Sequence, residues 1–527
     1  MVERERDVAP RDLKPGILAT ELAEGSIVDG TLNDERIALV RSGGKAFAVG
    51  GLCTHYGAPL AGGIVTDGGI RCPLHHACFD LHTGAATCAP AMSPIPTYDV
   101  VESDGMIRVG AKHESAAPGP KRAASDNVRT IVILGTGAAG TSAADMLRRR
   151  GFDGRVVMIG AEDELPYDRP NLSKDFLAGT CDGEWLPIQP REFYKENDIE
   201  LMLGHRVSAI DTEARELRTL KGRSPAYDRL LIATGSEAVG LPIPTHGLRH
   251  VHTLRTLADS RAIIATSQNA KRAVVIGGSF IGLEVAASLR TRGIEVDLVA
   301  PSGMAFERIF GPTLCKFIQR LHESNGVTFH FGNSVKAIDP THVTLASGKR
   351  IAADFVVVGI GVRPSVAVAQ WARLEVAQGI IVDEFLETSK AGIFAAGDIA
   401  RWPDRHSGES VRVEHWNVAL RQGQTAARNM LGERVRFDAV PFFWSQHYDV
   451  AIKYVGQQAT WDELSVDGDP DARDCAVEYR RGGKTIAVAT IGRDVESLRA
   501  ELAFERTNAL AEDGASEAES IVGASPA

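Results

Sequence analysis

The chain has 527 residues, a formal net charge of −10 and a hydrophobic share of 44%. That length suits about three to four domains of soluble composition, and the acidic balance argues against a nucleic-acid surface. Seven cysteines, with Cys181, Cys315 and Cys475 far apart, make no disulfide framework.

Met1–Lys14 is charged and lacks the apolar stretch of a signal peptide, and no apolar run reaches the length of a membrane span. The expected setting is the cytoplasm, with no membrane and no nucleic acid as partner. Nothing in the sequence sets the oligomeric state.

Residues 13–111 are rich in glycine and in short alternating segments such as Ile37–Arg41, Ala46–Val49 and Met106–Val109. Turn signals stand at Ser42-Gly43-Gly44 and Asp67-Gly68-Gly69, so the pattern predicts a small antiparallel β domain. Within it, Cys53-Thr54-His55 is followed by sixteen residues and then Cys72-Pro73-Leu74-His75. Two cysteines and two histidines in two loops suit a metal, and one tetrahedral structural zinc would accept such a set. However, both pairs run cysteine then histidine, which lets two thiolates take one iron and two imidazoles another.

With its flanks, Cys-Thr-His-Tyr-Gly-Ala-Pro-Leu and Cys-Pro-Leu-His-His-Ala-Cys-Phe-Asp, this segment resembles the Rieske ferredoxin family. The resemblance implies a two-iron two-sulfur cluster on Cys53, His55, Cys72 and His75. High-potential members carry a further cysteine in each loop, where this chain has Ala58 and Leu74. They also place hydroxyl donors to sulfur where this chain has Ala77 and Phe79. Fewer donors disfavour the reduced, more negative cluster, so a low-potential, ferredoxin-like centre is expected. Cys78 and Cys88 lie outside the motif and read as structural thiols ahead of a redox role.

Lys112–Asn127 has the composition of a linker. Thr130–Gly140 then reads as a buried strand and a G-x-G-x-x-G turn, Gly135-Thr136-Gly137-Ala138-Ala139-Gly140, with a helix expected over Thr141–Arg150. The glycines let a backbone approach a pyrophosphate, and the helix N-terminus favours the anion. A second strand, Arg155–Ile159, leads to Glu162, about 20 residues on, where an acid would hold a ribose hydroxyl.

Leu165-Pro166-Tyr167-Asp168-Arg169-Pro170-Asn171-Leu172-Ser173-Lys174 resembles a stretch of the ferredoxin reductases that serve oxygenases, and of their apoptosis-inducing-factor relatives. In that family the arginine and proline lie along FAD and the lysine approaches the isoalloxazine, which implies those roles for Arg169, Pro170 and Lys174. No redox cysteine stands near this segment, and Cys181 is alone, so a dithiol mechanism at the flavin is not expected.

Tyr227–Gly235 reads as a strand ending in Ala-Thr234-Gly235, like the exit from the FAD domain in two-dinucleotide flavoproteins. Lys271–Gly282 repeats the opening logic as Gly277-Gly278-Ser279-Phe280-Ile281-Gly282, a site for a nicotinamide nucleotide, with serine at the middle glycine position. Glu284 matches the family's glutamate facing the flavin lysine, which implies a shielded Lys174–Glu284 ion pair. The strand Glu295–Val299 ends at Ala300-Pro301-Ser302 without the expected ribose acid, and Arg308 follows. Donor identity therefore stays open between NADH and NADPH; resemblance favours NADH.

Ile351–Ile360 reads as a strand followed by Gly361-Val-Arg-Pro, returning to the FAD domain. Thr388-Ser389 and then Gly392-Ile393-Phe394-Ala395-Ala396-Gly397-Asp398 match the segment that closes the flavin site, where the aspartate binds the ribityl chain. Glu414-His415-Trp416 match the segment beside the isoalloxazine edge. From Phe437 a last domain begins, and its Trp444 resembles a family tryptophan near the flavin, at the face that meets the ferredoxin. Strands are expected at Ala451–Tyr454 and Thr485–Ile491, and a helix over Val495–Phe504.

The expected fold is an α/β two-dinucleotide-binding flavoprotein with FAD and NAD Rossmann-like domains, an N-terminal all-β Rieske domain and a C-terminal α+β domain. Its segments are the Rieske domain 13–111, a linker 112–127, the FAD domain 128–240 and 351–435, the NAD(P)H domain 241–350, the C-terminal domain 436–511 and a disordered tail 512–527. The resemblance implies an enzyme that moves electrons from NAD(P)H through FAD to the cluster, and on to a terminal oxygenase or another acceptor. A self-contained NADH oxidase and a redox-sensing binding protein are the rival readings.

Overall fold

A computed structural model describes residues 9–113, 128–223, 225–245, 247–306, 309–457 and 460–521. Its first domain has two sheets. Seven strands order as Arg11–Asp12, Ile27–Leu32, Glu35–Ser42, Lys45–Gly50, Thr97–Ser103, Met106–His113 and Ile17–Leu18. Four shorter strands, Ile64–Thr66, Gly69–Arg71, Cys78–Asp80 and Ala86–Cys88, form the second. The strand Glu35–Ser42 explains how the two sides hold together. Its residues alternate between faces, sending Ala38 and Val40 into the core with Cys53 and Cys72. Ile37 and Leu39 enter the opposite core with Leu13 and Tyr98. The last strand runs to His113, past the expected boundary at 111. The rest of the segment read as a linker, 114–127, lies outside the described residues.

Two parallel five-stranded sheets follow, each with its glycine-turn strand in the centre. The first orders as Ile199–Met202, Arg155–Ile159, Thr130–Leu134, Arg229–Ile232 and Ile393–Ala395. The second orders as Val251–Thr253, Phe355–Val358, Arg272–Ile276, Glu295–Ala300 and Val327–Phe331. Central strands covered on both faces must be apolar throughout, and Ile131–Leu134 and Ala273–Ile276 are all buried.

The two units share a detail the motifs do not show. The Asp228 carboxylate accepts the N–H groups of Arg129 and Thr130 at 2.8 and 2.9 Å. In the second unit the Asp354 carboxylate accepts those of Lys271 and Arg272 at the same distances. Each aspartate satisfies the entry to a central strand whose ladder has not yet begun.

This corrects the reading of Ile351–Ile360 as one strand. It breaks at Asp354 into Arg350–Ala352 and Phe355–Val358, and the second piece belongs to the nicotinamide-side sheet. The boundary expected at 351 therefore falls later. The return is made by Val362–Pro364, antiparallel to Ser236–Ala238.

The last domain is an antiparallel sheet ordered Phe442–His447, Val450–Gly456, Lys484–Ile491, Asp474–Arg481 and Glu463–Asp469. A helix, Asp494–Ile521, closes it. The tail expected to be disordered from Glu512 is helical to Ile521: it continues a helix already anchored by packing, with good helix formers at Glu512, Ala515, Glu517, Ala518 and Glu519 set against Gly514, Ser516 and Ser520. Residues 522–527 lie outside the described residues. Among the described residues no helix is long and apolar enough to cross a membrane.

The helices Ala138–Arg149 and Trp416–Met430 pack closely because Gly423 lacks a side chain. A Cβ there would stand 2.2 Å from the Ala139 carbonyl oxygen, which is backbone and cannot step aside. Gly423→Ala is expected to cost about 1–3 kcal/mol of stability and to lower the temperature at which bound flavin is released. An unchanged release temperature would mean the two helices separate freely.

Candidate active site

The two glycine turns have the same backbone. Gly135 and Gly277 both take φ +120°, and a Cβ on either would stand 2.1 Å from a carbonyl oxygen, that of Ala233 or Gly359. Gly140 and Gly282 lie against the carbonyl oxygens of Gly135 and Gly277, where a Cβ would come within 2.0 Å. These four positions admit only glycine.

The middle positions differ. Gly137 and Ser279 cap the helices Ala138–Arg149 and Phe280–Thr291 in an extended conformation that any residue adopts. Serine at 279 is therefore unstrained, and its side chain makes no cap hydrogen bond. The space above Gly137 is open. Residues 137–140 and 279–282 thus present free helix N-termini that fit one pyrophosphate each, of FAD and of a nicotinamide nucleotide. Gly278 has Ala300 beside it, Gly361 takes φ +116° in open space, and Gly235 takes φ +65°. Thr234 is held by the Ser365 carbonyl at 2.9 Å, and the Gly397 N–H by Gln422 at 2.7 Å. Arg308, weighed in the sequence for nucleotide choice, lies outside the described residues.

Several expected flavin-site residues already have protein partners. Glu162 accepts from Tyr167 at 2.7 Å and from Arg169 at 3.3 Å. The Arg169 guanidinium lies 5.0 Å above the Tyr167 ring. Asp398 pairs with Arg255 at 2.7 Å. Glu414 pairs with Arg412 at 2.6 Å. The His415 ring packs on Phe443 at 4.6 Å, and Trp416 opens the helix that follows. Arg255 escaped the sequence reading, since nothing in its neighbourhood marks it.

The second cluster is centred on Glu284, which is 3% exposed. Its Oε2 accepts from Lys174 Nζ at 2.7 Å and Ser173 Oγ at 2.6 Å, and its Oε1 from Ser445 Oγ at 2.7 Å. Lys174 also reaches the Pro170 carbonyl at 3.3 Å. Ser445 Oγ lies 3.1 Å from His447 Nε2, and His447 Nδ1 lies 3.2 Å from His322 Nε2. The serine has one proton, and the carboxylate takes it. His447 must then donate from Nε2, and accept at Nδ1 from His322. Burial, reinforced by the charge on Lys174, pulls His447 down to about 3, and burial with His447 beside it pulls His322 well below the ordinary value. Both rings are neutral, and every proton in the chain points toward Glu284. Residues 284, 322 and 447 meet only through the fold, so the last two were not legible.

The four candidate cluster ligands form two pairs. His55 Nδ1 and His75 Nδ1 are 3.1 Å apart. Two nitrogens bound at about 2.1 Å to one tetrahedral metal stand roughly 3.4 Å apart, so these imidazoles fit one iron. Burial brings His55 down to about 3 and, with His55 beside it, pulls His75 well below its ordinary value, leaving the neutral rings a metal requires. The Cys53 and Cys72 thiols are hydrogen-bonded to each other. Cys53 also accepts backbone N–H groups of His55 and Tyr56, and Cys72 those of Leu74 and His75. Among the described residues no three His, Cys, Asp or Glu side chains gather for a single ion. Two pairs suit a two-iron cluster. Ala77 and Phe79 are fully buried and carry no hydroxyl.

The cluster loops dock on the Glu284 region. The His75 ring lies 4.0 Å from that of Trp444. Asn417 donates to the His75 carbonyl at 3.1 Å, and Lys453 to that of Pro73 at 2.6 Å. Tyr56 donates to Asp168 and accepts from Asn171 at 2.9 Å. Burial raises the Asp168 carboxyl to about 6, with Tyr56 and Lys174 opposing it. Trp444 and Ser445 are neighbours on one strand, so they face opposite ways: one meets His75, the other Glu284.

Three family descriptions match the chain: Pyridine nucleotide-disulphide oxidoreductase over residues 129–423, Rieske [2Fe-2S] domain over 15–99 and Reductase C-terminal over 442–520. Apoptosis-inducing factor 3 of Homo sapiens is 30% identical over 495 residues, covering 90% of this chain and 81% of its own. The ferredoxin–NAD(+) reductase component of the anthranilate 1,2-dioxygenase system of Burkholderia cepacia is 38% identical over 377 residues, covering 70% and 93%. A chain of the covalent putidaredoxin reductase–putidaredoxin complex superimposes with a TM-score of 0.69 at 34% identity, covering 72% of this chain and 93% of that one.

Glu284→Gln exchanges an acceptor of three donors for an amide with only one acceptor oxygen. Flavin reduction by NADH, followed by stopped flow, is expected to slow at least about tenfold, the 1.4 kcal/mol of one charge-assisted hydrogen bond. The cluster spectrum is expected to stay unchanged. A rate within twofold of wild type would remove the ion pair from the reductive step.

Proposed function

This chain belongs to the pyridine nucleotide-disulphide oxidoreductase family and carries a Rieske [2Fe-2S] domain ahead of that fold; we propose that it supplies electrons from NAD(P)H to a terminal oxygenase or a similar acceptor, using its own cluster where relatives use a separate ferredoxin. FAD, when bound, takes two electrons together from a nicotinamide and releases them singly to a one-electron cluster.

The chain's own residues supply position and charge. Residues 137–140 and 279–282 would anchor the two pyrophosphates. Arg169, Pro170, Asp398 and the segment Glu414–Trp416 would line the flavin. Lys174 and Glu284 would set its distance from the nicotinamide. Ser445, itself bonded to His447, supplies a donor to the second oxygen of Glu284 and fixes the carboxylate's orientation. Cys53, His55, Cys72 and His75 would hold the cluster. With alanine and phenylalanine where hydroxyl donors to sulfur would stand, we assign it a low potential, matched to a reductase rather than to an oxidising terminal centre.

One observation carries this reading: the strand Phe442–His447 touches a cluster ligand with one residue and the Glu284 web with the next. Trp444 is the residue that meets His75. The experiment is anaerobic mixing with NADH while flavin and cluster absorbance are recorded together. The flavin is expected to bleach first and the cluster second. Trp444→Ala should leave the first phase within about twofold and slow the second about tenfold, a barrier higher by 1.4 kcal/mol. A cluster that stays oxidised throughout turnover would exclude it from the path.

A further inference from the structure

We propose that Cys78 and Cys88 form a reversible disulfide, a thiol redox site distinct from both the flavin and the iron–sulfur cluster. The two residues are direct partners on adjacent antiparallel strands, Cys78–Asp80 and Ala86–Cys88. Opposed residues in such a ladder have Cα atoms about 4.5–5.5 Å apart, inside the span of roughly 4.4–6.8 Å that a disulfide bridges. The register of the ladder shifts between Cys78 and Phe79, and the contact between the two thiols brings the sulfurs within reach of each other. Both residues are half-buried. Neither belongs to the two cysteine–histidine pairs of the cluster loops.

The surroundings are those of reactive thiols rather than of inert ones. Inert structural thiols lie among apolar groups, whereas reactive ones lie beside cations. Here the guanidinium groups of Arg71 and Arg421 act on both sulfurs. Cys78 Sγ donates to the His76 carbonyl at 3.6 Å, while contact with Cys78, aided by Arg421 and Arg71, lowers the Cys88 thiol against burial and the charge of Glu501. The same contact, with burial, pushes Cys78 upward. With its proton turned to the His76 carbonyl, Cys78 is the resolving thiol and Cys88 the attacking one.

The oxidant that fits is a hydroperoxide. The Cys88 thiolate attacks one peroxide oxygen: a sulfur–oxygen bond forms, the oxygen–oxygen bond breaks, and the alcohol or water leaves with a proton. The Cys78 thiol then attacks that sulfur. The disulfide forms, the sulfur–oxygen bond breaks and a second water leaves, so two sulfurs have given two electrons to one peroxide. A dithiol reverses the step.

The position couples this bond to cluster docking. Cys78 closes the loop of His75 and His76. The strand with Cys88 is pinned to the flavoprotein: Ala86 O accepts from Arg149, and the Ala89 N–H donates to Gln424 at 3.2 Å.

The test treats anaerobic holoprotein with a few equivalents of hydrogen peroxide, alkylates it in denaturant with N-ethylmaleimide and maps the peptides by mass. The expected result is one linked peptide pair, Cys78 with Cys88, and a loss of two from the seven alkylatable cysteines. Dithiothreitol should restore both, with cluster absorbance unchanged throughout. In the reduced protein Cys88 should alkylate at least about tenfold faster than Cys78 at neutral pH. Cys88→Ser should leave Cys78 fully alkylatable after peroxide. The proposal is overturned if wild-type Cys78 and Cys88 stay alkylatable after peroxide, or if the cluster is lost before the link appears. Faster alkylation of Cys78 overturns the assigned roles.

Discussion

Three domains meet on one buried carboxylate. Glu501, fully buried on the C-terminal helix, accepts from Arg421 at 2.7 Å, His76 at 2.8 Å and Arg71 at 3.2 Å. Arg421 comes from the helix of the FAD domain, and His76 and Arg71 from the cluster domain. Burial pushes this carboxyl up, but Arg421, His76 and Arg71 outweigh it and hold it below the ordinary range. Removing such a charge from water costs several kcal/mol, recovered only when its partners are complete. The arrangement is therefore better at selecting one docking geometry than at adding stability: a shifted cluster domain would leave the carboxylate buried and unpaired. His76 itself takes φ +63°, an unfavourable backbone for histidine that persists because its ring is fixed between Glu501 and Phe442. That turn sends His76 to the clamp and leaves His75 facing Trp444.

The strand Phe442–His447 converts this fixed docking into a division of labour. Its even residues Phe442 and Trp444 face the cluster domain: Phe442 stacks on His76 at 3.9 Å, and Trp444 lies tilted against His75 at 4.0 Å. Its odd residues face the flavoprotein: Phe443 meets His415, Ser445 meets Glu284, and His447 meets His322. A period of two in one short strand thus keeps the proton-ordering groups away from the aromatic contact with His75. A shift by one residue would exchange the faces and put Ser445 against His75.

What could be read from the sequence was what local geometry demands. Gly135, Gly140, Gly277 and Gly282 are forced by backbone contacts within their own units, so the turns announced themselves. The Cys-x-His and Cys-x-x-His pairs carry their own spacing, and Lys174 and Glu284 sit in recognisable segments. What stayed hidden is long-range. Arg255 reaches Asp398 across 143 positions, and His322 reaches His447 across 125. Neither histidine differs in sequence from one that merely fills a core. The break at Asp354 was equally invisible, because an aspartate inside an apolar run signals a strand entry only when the strand beside it is known.

Fusion in one chain changes the acceptor problem as well as the donor problem. A tethered cluster meets its electron source at a high effective concentration, and no encounter has to be selected by affinity. The docking also covers one of the candidate ligands: His75 is 5% exposed beneath Trp444. In the other cluster loop, Leu52 and Tyr56 remain 43% and 44% exposed. Tyr56 stacks on His55 at 4.0 Å while its hydroxyl is held by Asp168. An external acceptor thus meets the docked cluster from the side of the first loop, or meets His75 only after Trp444 and the Glu501 clamp have let go. The first route keeps entry and exit on different ligands and lets both proceed in one geometry. The second makes release of a buried three-partner carboxylate part of every delivery, and its several kcal/mol would fall on each turnover.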